Sequence, residues 1–505
     1  GAHPSRGAGA FAVRNVDAVV IGGGMAGLVA AWQLTQAGLK PVLVESRGYT
    51  GGLVAGSQLA GIAYDIGAEG WATRRPDTSQ LATELGLVVE PPVRQPSWVW
   101  FDDGAFAMPS DAVLGIPSDV TSADVVTAIG GKAADLAAEL DSRPVPDEVP
   151  ESLGELVRTR LGEEVLTRLV GPIAGGIHAA APDLLSADVV APGLRAGLVR
   201  TGSLQQAVAA QVRIRGDSPV VASVAGGMFR MPQTLHEQIE AAGGRILTRT
   251  GAKSISASPT GLEPGASPTT AGAANVPTPD GHDAQGGRWL VTTAATSRNP
   301  NPSLPPIPDG EPVTYCTDRV IVACSAAPAL DLLSGVIDVT GPALTAGAPI
   351  AHVNLALQAP ELDGAPRGGG MLVAPGSTTV KAKALTHLSR KWPSLGASCP
   401  SHVHLVRVSY GRKGEKAVPL SVEQALTDAS VLFGVKLTSD QLLDSAIIHW
   451  DGALAPTTPR TRAWVQELHA RLEKVPGLAL TGAWASGSGI GALVPHARTA
   501  ARKLA

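Results

Sequence analysis

The sequence predicts an α/β protein: a Rossmann-type βαβ unit at the N-terminus, an α+β region and a helical lobe, assembled from distant parts of one chain. Three observations predict it. The run VDAVVI at 16–21 is rich in β-branched residues, and a glycine turn at 22–24 leads from it into AGLVAAWQLTQAG, where Leu28, Ala31, Trp32 and Leu34 recur at helical spacing. A second apolar run, PVLVE at 41–45, follows Gly38, and two strands joined by a helix lie parallel. From about 118 to 205 the pattern turns helical, and strand-like runs return only beyond it.

Each later element has its own signal. Ser152-Leu-Gly-Glu155 reads as a capping box ahead of Leu156, Val157, Leu161, Val165, Leu166 and Leu169 on one helical face. Residues 256–314 are rich in Pro, Gly, Ser, Thr and Ala, broken only by GRWLVTT at 287–293, and read as two mobile loops, 256–286 and 294–314, around one strand. RVIVA at 319–323, HVNLAL at 352–357, HVHLVRVSY at 402–410 and LALTGA at 478–483 are strand-like, and SVEQALTDASVLFGV at 421–435 is helical. No internal repeat is present.

Composition narrows the function classes. The 505 residues imply roughly three lobes at about 150 residues each. Forty basic residues against 44 acidic give a net charge of −4, so the basic footprint of a nucleic-acid binder is absent. With 59 Gly and 40 Pro the pair makes up about a fifth of the chain, below the rough 25–30% of a disordered one. The three cysteines, Cys316, Cys324 and Cys399, form no CxxC pair, so a disulfide framework and a thiolate metal site are unsupported and the chain reads as that of a reducing, cytoplasmic compartment. No apolar run is long enough to span a membrane, and residues 1–14 lack the apolar stretch of a signal peptide and read as a flexible tail.

Gly22-x-Gly24-x-x-Gly27 follows a predicted strand and opens a helix, the context that makes this pattern a dinucleotide fingerprint. The glycines permit a tight turn and a close approach of backbone to a pyrophosphate, whose charge then sits on the helix N-terminus. Glu45 closes the second strand 18 residues after Gly27, where an acid accepts bonds from ribose hydroxyls.

Beyond Glu45 come Arg47 and Gly51-Gly52, and this extension resembles the amine-oxidase and protoporphyrinogen-oxidase superfamily, where E-x-R-x(3)-G-G continues the site of FAD. The resemblance assigns contacts with the cofactor to Gly22, Gly24, Met25, Ala26, Gly27, Glu45, Ser46, Arg47, Gly51, Gly52, Leu53, Gly67, Ala68 and Ala252. Leu53 stands where the family carries a basic residue. The C-terminal run LTGAWASGSGIGALVPHARTAARKL resembles the last FAD segment and adds Gly482, Gly489 and Ile490. Ala483 stands where many relatives have Asp. A helix starting near 489 aims its positive dipole end toward the flavin.

Further motifs resemble bacterial porphyrinogen oxidases: DIGAEGWATRRP at 65–76, ELGL at 84–87, LVGPIAGGIHAAAPDLLS at 169–186, VAGGMFRMPQTL at 224–235, KALTHLSRKWP at 383–393 and LVRVSYGR at 405–412. His387 and Leu388 depart from the usual Phe and Ser, and Pro456-Thr457-Thr458 replaces a Pro-Gln-Tyr segment. The resemblance covers nearly the whole chain. It implies an FAD-binding unit from 15–55, 222–335 and 450–505, a substrate unit from 56–117, 206–221 and 336–449, and the helical lobe at 118–205.

The implied activity is FAD-dependent oxidation of coproporphyrinogen III to coproporphyrin III with O2 as acceptor, in haem biosynthesis. Protoporphyrinogen IX oxidation and a non-catalytic porphyrin-binding or partner-docking flavoprotein stand as alternatives. Amine oxidation fits less well, because an aromatic cage is hard to assemble from 4% aromatic residues. Removing hydride from a bridging methylene, with proton loss from the neighbouring pyrrole N–H, needs no strong side-chain base, so no residue is singled out as catalytic and no metal is expected. Such a substrate needs an apolar cavity and cations for its propionates. Arg74, Arg75, Arg94, His178 and Lys383 are the candidates, with Lys381 on the face of Lys383 if 380–384 is a strand. Met228, Met231 and Met371 read as core. The expected partners are the porphyrinogen and O2, without nucleic acid; contact of the helical lobe with a membrane face or the next haem-pathway enzyme is left open, as is oligomeric state.

Overall fold

A computed structural model describes residues 13–178, 180–259, 287–302, 304–347, 349–412, 419–456, 458–487 and 489–505. Its centre is a five-stranded parallel sheet in the order Arg245–Leu247, Pro41–Val44, Ala18–Ile21, Val320–Val322, Leu478–Leu480. The three central and C-terminal strands read AVVI, VIV and LAL and are buried throughout, as expected of a parallel sheet covered on both faces. One face packs against the helices Met25–Gln36, Arg230–Ala241 and Ile490–Leu504, with Leu28, Leu34, Leu235, Val494 and Ala497 in the shared core. The other packs against Ala326–Ser334 and Pro459–Glu473 through Leu332, Leu333, Trp464 and Leu468.

A second sheet pairs Val13–Asn15, Val313–Thr317, Trp289–Ser297 and Thr250–Ala257. It corrects two expectations. Residues 13 and 14 are paired to Thr314 and Tyr315 rather than belonging to a free tail. The segment 294–314 is also not a loop throughout, since it holds the end of one strand, the short strand Ile307–Pro308 and the start of another. The rest of the expected tail, and residues 260–286 of the other expected loop, lie outside the described residues.

The third sheet has seven strands, in the order Leu442–Trp450, Ile350–Gln358, Val403–Tyr410, Ala384–Thr386, Gly370–Val373, Trp98–Phe101, Gly104–Ala107. Neighbours are antiparallel except Gly370–Val373 with Trp98–Phe101. One face carries Val353, Leu355, Val406, Val408, Leu385 and Met371 against the helix Val422–Phe433. Alternation along each strand turns the opposite set, His352, Asn354, Arg407 and Ser409, to the other face. The strand expected at 380–384 begins only at Ala384. Val380 and Ala382 are nonetheless core residues, which leaves Lys381 exposed and Lys383 half-buried.

Helices from Ala123 to Arg215 enclose a separate core of Leu156, Val157, Leu161, Leu169, Leu198 and Val208. Ser152 Oγ accepts the Glu155 amide at 3.0 Å and caps Leu153–Leu161 as its sequence predicts. The helix Leu204–Arg215 crosses the expected lobe boundary at 205, because Ala207 and Val208 bury into this core. Among the described residues no helix is long and apolar enough to cross a membrane.

Candidate functional site

The three glycines of the N-terminal turn do three different jobs. Gly22 adopts a positive φ of +106°, and a Cβ on it would lie 2.8 Å from the Ala323 carbonyl. A Cβ on Gly27 would sit 1.7 Å from the Gly22 carbonyl oxygen, so only glycine lets the helix Met25–Gln36 approach its own turn. Gly24 is different. Its φ of −71° suits any residue, and a Cβ there would meet nothing within 4 Å. The turn therefore leaves open space beside Gly24, in front of the helix amides of Met25, Ala26 and Gly27.

Of the other expected cofactor residues, Gly51 and Gly52 lie against that turn. Gly51 donates its amide to the Gly23 carbonyl at 2.8 Å and bridges Gly24, and Gly52 lies within 3.3 Å of the Gly24 Cα when given a Cβ. The Ala68 amide bonds the Leu53 carbonyl at 2.9 Å, and a Cβ on Gly67 would come within 1.8 Å of the same oxygen. Leu53 itself is 57% exposed, an apolar side chain over the turn. Gly482 flanks Ala323 and Cys324 opposite Gly22. Gly489 opens the C-terminal helix Ile490–Leu504, whose first amides have no partner within the helix. Pro495 is buried inside that helix, and Arg502 and Lys503 are in its last turn.

Glu45 is already engaged: its carboxylate accepts the amides of Gly23 at 2.9 Å and Arg47 at 2.7 Å. These bonds fix the strand end against the glycine turn and leave carboxylate lone pairs for a ribose. The Thr250 amide bonds the Glu45 carbonyl, which sets Ala252 on the adjoining strand, and Ser46 packs beside Gly251. Arg47 is exposed. Burial, together with the Glu45 charge, pushes the Cys324 thiol up to about 12.

The expected substrate residues do not form one cluster. Arg94 pairs with Asp217 at 2.8 Å and is 82% exposed, and Arg75 pairs with Asp77 at 3.3 Å. Arg74 is exposed, and the His178 pKa is lowered by burial and then by the Arg74 charge. Lys383 lies elsewhere, near Arg412 and His352; burial and then Arg412 lower its pKa.

Sequence reasoning missed a buried ionic cluster. Glu69 accepts Arg407 Nη1 at 2.9 Å and Trp392 Nε1 at 2.9 Å, with Lys391 Nζ at 3.4 Å. Burial would raise its pKa, but Lys391, Arg407 and Trp392 hold it down to about 2. Arg407 also donates to the Asp65 carbonyl and to Asn354 Oδ1, and Asn354 Nδ2 reaches the Tyr64 hydroxyl at 3.0 Å. The Asp65 carboxylate accepts the Met228 and Phe229 amides at 2.9 Å each; burial raises its pKa to about 7, and those amides limit the rise. Asp65, Glu69, Lys391, Trp392 and Arg407 all lie in runs that resemble the family, but no spacing rule says that they meet. Among the described residues no group of His, Cys, Asp and Glu could hold a metal ion.

An open groove of about 520 Å³ is lined by Tyr49, Thr50, Gly56, Phe229, His236 and Trp450. A small pocket of about 40 Å³ beside Asp65, Glu90 and Ser394 has room for water.

The family model described as flavin containing amine oxidoreductase matches residues 25–505. The chain is similar to coproporphyrinogen III oxidase of Mycobacterium leprae (strain TN), 27% identical over 503 residues covering 96% of this chain and 97% of that one. It is similar to the coproporphyrinogen III oxidase of Mycobacterium tuberculosis (strain H37Rv), 28% identical over 495 residues, 94% of each. A crystal structure from Exiguobacterium sp. 255-15 superposes with a TM-score of 0.71 at 22% identity, covering 97% of this chain and 99% of the other. Putrescine oxidase superposes with a TM-score of 0.57 at 15% identity, covering 97% and 99%.

Proposed function

Because the chain belongs to the flavin-containing amine oxidoreductase family and has FAD as its cofactor, we propose that it oxidises coproporphyrinogen III to coproporphyrin III, with O2 as the electron acceptor. The observation that carries this reading is similarity over nearly the full length of both chains to proteins named coproporphyrinogen III oxidase. The residues fit the cofactor: the space beside Gly24 suits a pyrophosphate, and the Met25–Gly27 amides face it. We assign Glu45 and Arg47 to the ribose and phosphate end, and Gly67, Ala68, Gly489 and Ile490 to the flavin end. FAD, when bound, supplies a hydride acceptor.

The chain's own part is to bind and orient. The Glu69–Arg407 pair ties the Gly67–Ala68 segment to the polar face of the seven-stranded sheet, so the two walls of the site are fixed relative to one another. Because a pyrrole N–H can lose its proton as hydride leaves the adjacent methylene, the walls need only hold the ring and exclude water.

The test is anaerobic stopped-flow reduction of the bound flavin with coproporphyrinogen III and protoporphyrinogen IX side by side. Faster bleaching by coproporphyrinogen supports the reading. Faster bleaching by protoporphyrinogen assigns the other porphyrinogen, and no bleaching by either identifies a non-catalytic flavoprotein.

A further inference from the structure

The Gly51–Gly52 turn is pressed against the N-terminal glycines. The Gly51 amide bonds the Gly23 carbonyl at 2.8 Å, a Cβ on Gly52 would lie 3.3 Å from the Gly24 Cα, and the two residues have positive φ, +106° and +58°. Glycine loses more conformational freedom on ordering than any other residue, so two in succession depend on support from outside the turn.

That support comes from one edge of the helix Arg230–Ala241, where Pro232, His236 and Glu240 follow one another at i, i+4. A Cβ on Gly51 would be 3.3 Å from Pro232 Cβ. His236 Nδ1 lies 3.0 Å from the Thr50 hydroxyl, and His236 Nε2 lies 2.5 Å from Glu240 Oε1. An imidazole that donates its Nε2 proton to Glu240 keeps Nδ1 as an acceptor, so the Thr50 hydroxyl donates to it. The Thr50 methyl carbon meets the glycine fingerprint, 3.1 Å from where a Cβ on Gly23 would lie. Among the described residues the bond from Thr50 to His236 is the one side-chain hydrogen bond made by residues 48–53. His236 lines the open groove together with Thr50, whereas Gly24 does not.

We propose that His236, steadied by Glu240, is a positioning residue for the cofactor: through the Thr50 hydroxyl it holds the Gly51–Gly52 turn against Gly23 and Gly24, and so fixes the space that receives the pyrophosphate. This role rests on the pyrophosphate lying beside Gly24, as proposed above.

The test follows release of FAD from the dilute holoenzyme by the rise of flavin fluorescence. His236→Gln places an amide near the Nε2 position, which keeps the bond to Glu240 and loses the one to Thr50. His236→Asn places an amide oxygen near the Nδ1 position, with the opposite result. Thr50→Val removes the hydroxyl and keeps the methyl group on Gly23. His236→Gln and Thr50→Val should each speed release about fivefold, and the doubly substituted protein should release no faster than either alone. His236→Asn should stay within about twofold of the wild type, and circular dichroism should be unchanged throughout. Effects that multiply, release from His236→Asn as fast as from His236→Gln, or unchanged release in His236→Gln and Thr50→Val would each overturn the role of His236. Flavin retained by Gly24→Val overturns the placement of the pyrophosphate instead; flavin lost there, with unchanged release in the His236 and Thr50 variants, overturns the positioning role alone.

Discussion

Arg407 Nη1 lies 2.9 Å from Glu69 Oε2, and the pair is buried between the seven-stranded sheet and the segment that carries Gly67 and Ala68. An ion pair so placed contributes little net stability against an apolar pair, but removing one partner strands the other's charge. Glu69→Ala should therefore cost about 3–5 kcal/mol, measured by chemical denaturation of the flavin-loaded protein. Trp392→Phe removes one hydrogen bond to the same carboxylate and should cost only about 1–3 kcal/mol. Equal effects would show that Arg407 is not the group that Glu69 compensates.

Gly24→Val and Gly27→Val should behave oppositely. A valine at 24 meets empty space at an ordinary φ, so the protein should fold with unchanged circular dichroism and lose its yellow flavin absorbance. A valine at 27 would collide with the Gly22 carbonyl and should prevent soluble folding. Retention of stoichiometric flavin by Gly24→Val would move the pyrophosphate elsewhere.

The two neighbouring arginines should differ as well. Arg75 is committed to Asp77 and 62% exposed, whereas the Arg74 charge acts on His178. Arg74→Ala should raise KM for coproporphyrinogen about tenfold with kcat little changed, since the contact is equal before and during hydride transfer. Arg75→Ala and Arg94→Ala should change KM by less than about twofold. A larger effect from Arg75 would reverse the assignment.

Turnover should consume O2, form hydrogen peroxide for each two-electron step and need no NAD(P)H. Among the described residues only one glycine turn joins a strand to a helix in the dinucleotide pattern. The glycine pair at 175 lies within a helix, and those at 226 and 368 lie in turns. A strict requirement for added NAD(P)H in a peroxide-coupled assay would contradict this.

Acid should destabilise the fold through His387. Its Nε2 bonds His404 Nδ1 at 2.9 Å, and His404 Nε2 reaches Asp363 at 2.8 Å, so the carboxylate orders both rings in their neutral forms. Burial, then His404 and Arg390, lower the His387 pKa to about 3. Since the unfolded chain binds the proton more tightly, this contribution is full above the ordinary histidine pKa and is lost as pH falls from about 6.5 toward 3. Between pH 7.5 and 5 it amounts to up to about 2 kcal/mol, and His387→Phe should reduce the pH dependence of the melting temperature by a corresponding amount. An unaltered pH profile would locate the acid sensitivity at His352 or His496, which burial also lowers.

Local chemistry made the strand, glycine turn and helix legible. Only glycine tolerates the φ of Gly22 or the contact between Gly27 and the Gly22 carbonyl, and a strand, turn and helix are contiguous, so their signal is written within thirty residues. The Ser152 cap is equally local. The reading of 294–314 as loop failed because small polar residues such as Thr296 and Thr314 can fill strands when a neighbouring strand pairs them.

The partners of the candidate cations were decided by tertiary structure. Arg74, Arg75, Arg94 and Lys383 are chemically interchangeable in a sequence, and only packing separates a cation spent on Asp217 or Asp77 from one with no acid partner among the described residues. Glu69, Trp392 and Arg407 were visible as residues but not as partners, because 338 positions separate Glu69 from Arg407. The sequence by itself determined the N-terminal strand, glycine turn and helix, through steric limits acting between near neighbours in the chain. Only the fold decided which charges meet, because a charge's partner is set by distance in space and by the water that burial removes.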